Sequence, residues 1–158
     1  MSTPRPDRDF VSGPLRFAGI KKPYLYSERG AIPQQWNEFG PFIGRVSGQV
    51  GRFAYGIVLD SSDTGFSYAS AVEIDPSAEL PTGLVEITLP AYRYVEFAHH
   101  GHVSALSETI STIWRGWLPT SGFQPIGHGV MLECYGDAFD PMTGTGAIQL
   151  RFAVEEKL

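Results

Sequence analysis

One pattern occurs twice in this chain of 158 residues. An extended stretch, an amphipathic helix and two more extended stretches run from Leu15 to Ile74. The same order runs again from Leu84 to Val154. The offset is roughly seventy to eighty residues, which marks an internal structural repeat. Trp36 and Trp114 fall at matching places on the two helices. Such a duplication predicts an α+β domain. Tandem strand–helix–strand–strand units would form one curved antiparallel sheet, with two helices on one face and a pseudo-twofold axis between the halves. A groove along that axis is where a ligand would sit.

The second helix is the clearest element. Val103, Leu106, Ile110, Ile113, Trp114 and Trp117 recur at steps of three and four and share one face, while Glu108, Ser111 and Arg115 fall on the other. Ser104 is the expected N-cap. Pro119 ends the helix, because the residue before proline is pushed out of helical conformation. The first helix is expected over residues 32–46, where Ile32, Trp36, Phe39, Phe42, Ile43 and Val46 share a face. Gly40 and Pro41 inside it predict a kink or a split. Strands are expected over residues 15–26, 53–60, 66–74, 84–89, 92–98, 130–135 and 147–154. Gly19 and Pro23 suggest a bulge or an edge position in the first of them. The whole chain, 1–158, reads as one domain. Within it, residues 1–14 form a loose tail, about 15–75 the first repeat and about 84–155 the second, with Asp75 to Gly83 as linker.

Composition narrows the function classes. With 42% hydrophobic residues the chain should bury a core. A formal charge of -5 with no cluster of Lys and Arg argues against direct nucleic-acid binding, and the tail is too short to hold a helix-turn-helix. No apolar run approaches the ~20 residues of a membrane helix, and the first residues show no signal-peptide core. Cys134 is the only cysteine, so no internal disulfide forms and a cytoplasmic location is expected.

Glu133 is the sharpest candidate residue. It lies in the apolar run Val130 to Tyr135, where alternation puts Met131, Glu133 and Tyr135 on one face. A buried carboxylate must find a cation or rise in pKa; the competing reading is a solvent-facing glutamate. Glu73 sits similarly in Ala71 to Ile74, with an exposed strand end as its competing reading. Glu96 reads as an outward residue, because Val95 and Phe97 point the other way. Trp36, Tyr68, Trp114, Trp117 and Tyr135 could wall a flat ligand through stacking and cation–π contact, or could be core. His99 and His100 are adjacent and point to opposite faces of a strand, so no metal site is expected. Thr143 to Gly146 is a hairpin turn without a phosphate-loop lysine, and no other cofactor motif occurs. Cys134 reads as an inert core thiol.

Several segments together resemble the GyrI-like family, the effector-binding domain of some AraC-type regulators, which is also found free-standing. They are Tyr94 to Gly101, Ile113 to Pro119, Ser121-Gly122, Glu133 to Tyr135 and Ala153-Val154, with Ile32 to Phe39, Tyr55 to Ile57 and Phe66 to Ile74 in the first half. The resemblance implies the duplicated fold inferred above. It also implies binding of bulky aromatic, often cationic, compounds in the central groove, with Glu133 at its bottom and His99 in a structural role. Ala71 stands where the family pattern has glycine, which implies a narrower groove. Three functions follow as expectations. The first is a module that sequesters or senses an aromatic cation. The second is a cofactor-free hydrolase of electrophilic cyclopropane-type natural products, with Glu133 and Glu73 as paired catalytic carboxylates. The third is a gyrase-inhibitor-like regulator acting through protein contact.

Overall fold

The computed structural model describes residues 4–158. Among these residues nine strands form one antiparallel sheet: β1 (Arg8–Val11), β2 (Leu15–Leu25), β3 (Ala54–Leu59), β4 (Gly65–Glu73), β5 (Val85–Leu89), β6 (Arg93–His99), β7 (Phe123–Pro125), β8 (Met131–Tyr135) and β9 (Ile148–Glu156). Two helices, α1 (Ile32–Phe39) and α2 (Leu106–Thr112), follow β2 and β6. The order across the sheet is β1-β6-β9-β8-β3-β4-β2-β5, with β7 also on β9. The repeat is therefore real in three dimensions. β2, β3 and β4 make one half, β6, β8 and β9 the other, and β3 pairs with β8 at the centre.

Several expectations are corrected. The tail is ordered from Arg8: β1 pairs with β6, and the Asp9 carboxylate accepts two hydrogen bonds from Arg93 at 2.8 and 2.7 Å. Residues 1–3 of that tail lie outside the described residues. β5 begins the second repeat in sequence, yet it pairs with β2 of the first half. Gly19 makes no bulge in β2. It gives room to Ala71 on β4, whose methyl a Cβ at Gly19 would strike. Pro23 lies beyond the end of the β5 pairing, on a free edge where a missing N–H costs nothing.

The helices are shorter than their periodicity suggests. α1 ends at Phe39, Gly40 to Phe42 tighten into a 3₁₀ turn, and Ile43 is already extended. Phe42 still stacks on Phe39 at 5.9 Å, so the apolar stripe continues although the helix stops. α2 opens from a 3₁₀ turn capped by His102, whose Nδ1 accepts from the Ser104 N–H at 3.0 Å; Ser104 is not the cap. It closes through a π-type turn over Ile113–Trp117. Phe123–Pro125, for which no strand is expected above, forms β7.

Both helices pack on one face of the sheet. Leu106 and Ile113 lie against Phe97, Met131, Leu150 and Phe152, and Phe39 against Ala18 and Val72. The opposite face carries no helix, yet Phe17, Ile57 and Leu132 on it are fully buried. Apolar side chains on an uncovered face can leave water only if the sheet curls around them, and Leu15, Phe53, Tyr92 and Ile126 close over this inner layer.

One buried polar side chain pins each helix. Gln35 on α1 accepts from the Tyr24 hydroxyl at 2.5 Å, and its amide donates to the carbonyls of Ile20 (2.9 Å) and Tyr68 (3.0 Å). His99 at the end of β6 bonds the Thr109 hydroxyl at 2.7 Å and the His102 carbonyl at 3.0 Å. A carbonyl only accepts, so Nε2 carries the proton and Nδ1 receives one from Thr109. Replacing Gln35 by leucine leaves the buried Tyr24 hydroxyl unpaired. Urea unfolding should then show a loss of about 1–3 kcal/mol, and the Tyr24→Phe, Gln35→Leu double variant should recover part of it.

Candidate functional site

Glu133 lies on the helix-bearing face at the centre of the sheet, directly opposite Gly56 on β3. It is 7% exposed. The alternation read from sequence holds: Met131 packs with α2, whereas Leu132 and Cys134 enter the inner layer. Burial pushes the Glu133 carboxyl above its ordinary pKa. Two hydrogen bonds oppose that shift. Tyr68 donates to Oε1 at 2.6 Å and Tyr135 donates to the same oxygen at 2.9 Å. Among the described residues Oε2 has no hydrogen-bond partner, so one carboxylate oxygen is held and the other is free.

Aromatic side chains surround this carboxylate. The Trp36 indole N–H donates to the Tyr68 hydroxyl at 3.0 Å, which extends the chain of hydrogen bonds from α1 to β4 to β8. Trp36 and Tyr135 meet edge to face with centroids 5.4 Å apart, one from each half. Phe139 packs edge-on against Tyr135 at 5.0 Å. Burial and the charge of Glu133 raise the pKa of both tyrosines, so their hydroxyls remain donors across the physiological range. Gly56 is required by this arrangement, since a Cβ there would strike both the Tyr68 hydroxyl and Glu133 Oε1.

The structure brings together Trp36, Tyr68, Glu133 and Tyr135 from the sequence candidates. Trp114 packs on Phe152 of the neighbouring strand at 5.6 Å and borders the region. Trp117 packs on Phe97 and Phe123, two strands from β8, and does not reach Glu133. Glu73 is not in the groove. It pairs with Phe17 and alternates with Tyr68, Ser70 and Val72, so it lies on the helix-free face. Paired carboxylates therefore do not share one pocket. The parity of β4 carries this signal, because Tyr68 and Glu73 sit an odd number of positions apart on one strand. Ala71 also faces the helix-free side and does not narrow the groove. Glu96 points away from Val95 and Phe97 as expected, but it is buried, held by Arg151 at 2.8 Å and Arg8 at 3.6 Å. Cys134 is fully buried, and its thiol is pushed up to about 12 by burial. Sequence reasoning missed Gln35, Gly56 and Phe139. Only Gln35 carried a local signal, as a polar residue one turn from Phe39 on the apolar stripe of a helix. Among the described residues no group of three His, Cys, Asp or Glu side chains could hold a metal ion, and no helix is long and apolar enough to cross a membrane.

A raised carboxyl pKa has a defined consequence for stability. The folded state holds the proton more tightly than the unfolded chain, so this group's contribution is most favourable below the unfolded pKa and is lost as pH rises through the folded one. Glu133→Gln keeps an acceptor for both tyrosines and removes the charge. Its melting temperature should exceed that of the wild type at pH 7, and the difference should shrink as pH falls through the raised folded-state value, before the ordinary glutamate value of about 4.3 is reached, and stay constant below it. Gly56→Ala should cost about 1–3 kcal/mol in urea unfolding through overpacking of the Tyr68–Glu133 contact.

Comparison with known proteins shows the family and the fold. A model of the GyrI-like small molecule binding domain matches residues 12–154. The transcriptional regulator BrlR of Pseudomonas aeruginosa is 28% identical over 125 residues, covering 78% of this chain and 46% of that protein. The chain thus spans about half the length of this relative. Among solved structures, SAV2435 bound to tetraphenylphosphonium superposes with a TM-score of 0.76 at 20% identity, over 94% of this chain and 93% of that one. The EcmrR C-terminal domain superposes with a TM-score of 0.63 at 10% identity, over 95% of this chain and 97% of that one. At these identities the two superpositions establish the fold. With the family model spanning both repeats and the central strand pair, the chain belongs to the GyrI-like small molecule binding domain family.

Proposed function

We propose that this protein binds bulky aromatic monocations in the groove between α1 and α2, with Glu133 as the electrostatic anchor. The observation that carries this reading is the half-engaged buried carboxylate. Oε1 is fixed by two tyrosine hydroxyls, and Oε2 has no hydrogen-bond partner among the described residues. A single negative charge among Trp36, Tyr68, Tyr135 and Phe139 suits a delocalised monocation. Such an ion is cheap to remove from water and gains from aromatic faces as well as from the carboxylate. Tetraphenylphosphonium, the compound bound by SAV2435, is an ion of this kind.

Trp36 and Tyr135 touch across the axis, so a bulky guest must part them. Breaking one edge-to-face pair costs about 0.5–1.5 kcal/mol. Cation–π contact at a desolvated site returns ~2 kcal/mol or more, so opening is affordable without reorganising the sheet. Hydrolysis by paired carboxylates has no support here, because Glu73 lies behind the sheet. Sensing or sequestration remains as the use of such a site, and a free Oε2 serves either.

Tryptophan fluorescence titration with tetraphenylphosphonium tests the proposal, with triphenylphosphine oxide as an uncharged control of similar bulk. Glu133→Gln should weaken the cation by about thirtyfold or more, the effect of removing one partner of a buried charged pair, and should leave the uncharged control unchanged. Cation affinity should also fall as pH drops, starting above the ordinary glutamate range because burial raises this carboxyl. Equal loss of both compounds in the variant would make Glu133 a packing residue and remove the electrostatic anchor.

A further inference from the structure

The helix-free face holds the hydroxyl of Tyr94, an oxygen closed off from solvent and without a hydrogen-bond partner among the described residues. Tyr94 is 1% exposed, so this is a fully desolvated donor with nothing to donate to. Unpaired buried hydroxyls are rare, and each calls for a missing partner. Its surroundings indicate what that partner is. Tyr94 pairs with Ala153 on β9, two residues from Arg151 on the same face. Arg151 pairs with Glu96 on one side and Leu132 on the other. Cys134 follows Leu132 on that face and pairs with Tyr55. Tyr94 and Tyr55 thus flank Arg151 from two directions.

Arg151 is only partly used. Its Nε donates to Glu96 at 2.8 Å, its guanidinium lies over the Phe10 ring at 5.3 Å, and it interacts with the Tyr55 hydroxyl, whose pKa it lowers against the effect of burial. The two Nη groups have no carboxylate partner among the described residues, and a guanidinium edge can take a planar carboxylate with two parallel hydrogen bonds. Glu96 does not exhaust the positive charge, because Arg8 lies 3.6 Å from its other oxygen. Burial raises the Tyr55 hydroxyl to about 12 and pushes Tyr94 up as well, so both remain protonated donors. The rim is apolar and half-buried. Phe10 and Tyr92 lie beside Tyr94 at 5.9 and 6.2 Å, and Phe53 lies beside Tyr55 at 6.0 Å.

We propose that this face is a second binding site, in which Arg151 with the hydroxyls of Tyr94 and Tyr55 receives the carboxylate of a small aromatic acid whose ring lies among Phe10, Phe53 and Tyr92. A monoanion fits the charges, since one free guanidinium edge flanked by Glu96 and Glu73 cannot balance two. Glu73, half-buried on the same face and within the field of Arg151, opposes the anion. This site is separated from Glu133 by the thickness of the sheet and is independent of the cation reading.

The probe is 2-naphthoate, titrated by isothermal calorimetry at neutral pH, with 2-naphthamide as its uncharged counterpart. The wild type should bind naphthoate in preference to the amide. Tyr94→Phe should fold as well as the wild type, because it removes a hydroxyl that has no protein partner, and should weaken naphthoate about tenfold, the effect of one hydrogen bond to a charged group. Glu73→Gln should strengthen it, and Glu133→Gln should leave it unchanged. Saturating tetraphenylphosphonium should not displace it. Three results would each overturn the proposal: no naphthoate heat at millimolar concentration, equal affinity in Tyr94→Phe and wild type, which would assign the hydroxyl a bridging water only, or displacement by the cation.

Discussion

A carboxylate at the middle of a sheet is the constraint on which the rest of this structure depends. Glu133 stands on the strand pair that joins the two halves, where desolvation of a charge is most costly. Its position demands donors, and Tyr68 and Tyr135 supply them from both halves. Tyr68 in turn needs the Trp36 indole beside it, and Trp36 needs α1 held at a fixed depth, which Gln35 does through carbonyls of β2 and β4. A line of hydrogen bonds therefore runs from the central carboxylate to the first helix. The second helix is held separately, by His99.

The duplication is broken at the central strand pair. Gly56 and Glu133 face each other across the two halves, and one has no side chain while the other has a carboxylate. A Cβ at Gly56 would already collide with the Tyr68–Glu133 contact. A second carboxylate there would add like-charge repulsion in a low-dielectric setting. The two helices thus stand over a stretch of sheet with one negative charge, offset to the side of β8. The two faces of the sheet also differ in kind. The helix face is covered by α1 and α2 and carries the acid. The inner face is covered by the curl of the sheet and carries Arg151, with its ion pair to Glu96 and the unpartnered Tyr94.

Local chemistry made part of this legible. The direction of Glu133, the inert burial of Cys134 and the break at Gly40-Pro41 all follow from alternation, strand position and proline stereochemistry within a few residues. Glu73 shows where the same reasoning needs more care. Alternation along β4 was readable, but only the pairing of Ser70 with Gly56, and of Gly56 with Glu133, shows which face of β4 meets the groove. Glu96 shows a second limit. Its face was readable and its burial was not, because the residues that cover it, Arg8 and Arg151, lie far away in the chain.

The repeat, the number of helices, the class of fold and the face taken by Glu133 were determined by the sequence alone, because hydrophobic period is a property of neighbouring residues. Tertiary structure decided the rest. It attached β1 to β6 and β5 to β2, across the apparent borders of the repeats. It set Gly56 opposite Glu133, gathered Trp36, Tyr68 and Tyr135 around one oxygen, and turned Glu73 to the other side. Each of these is a matter of register between strands distant in sequence. Register is selected by the packing of whole faces against each other, which no single segment encodes.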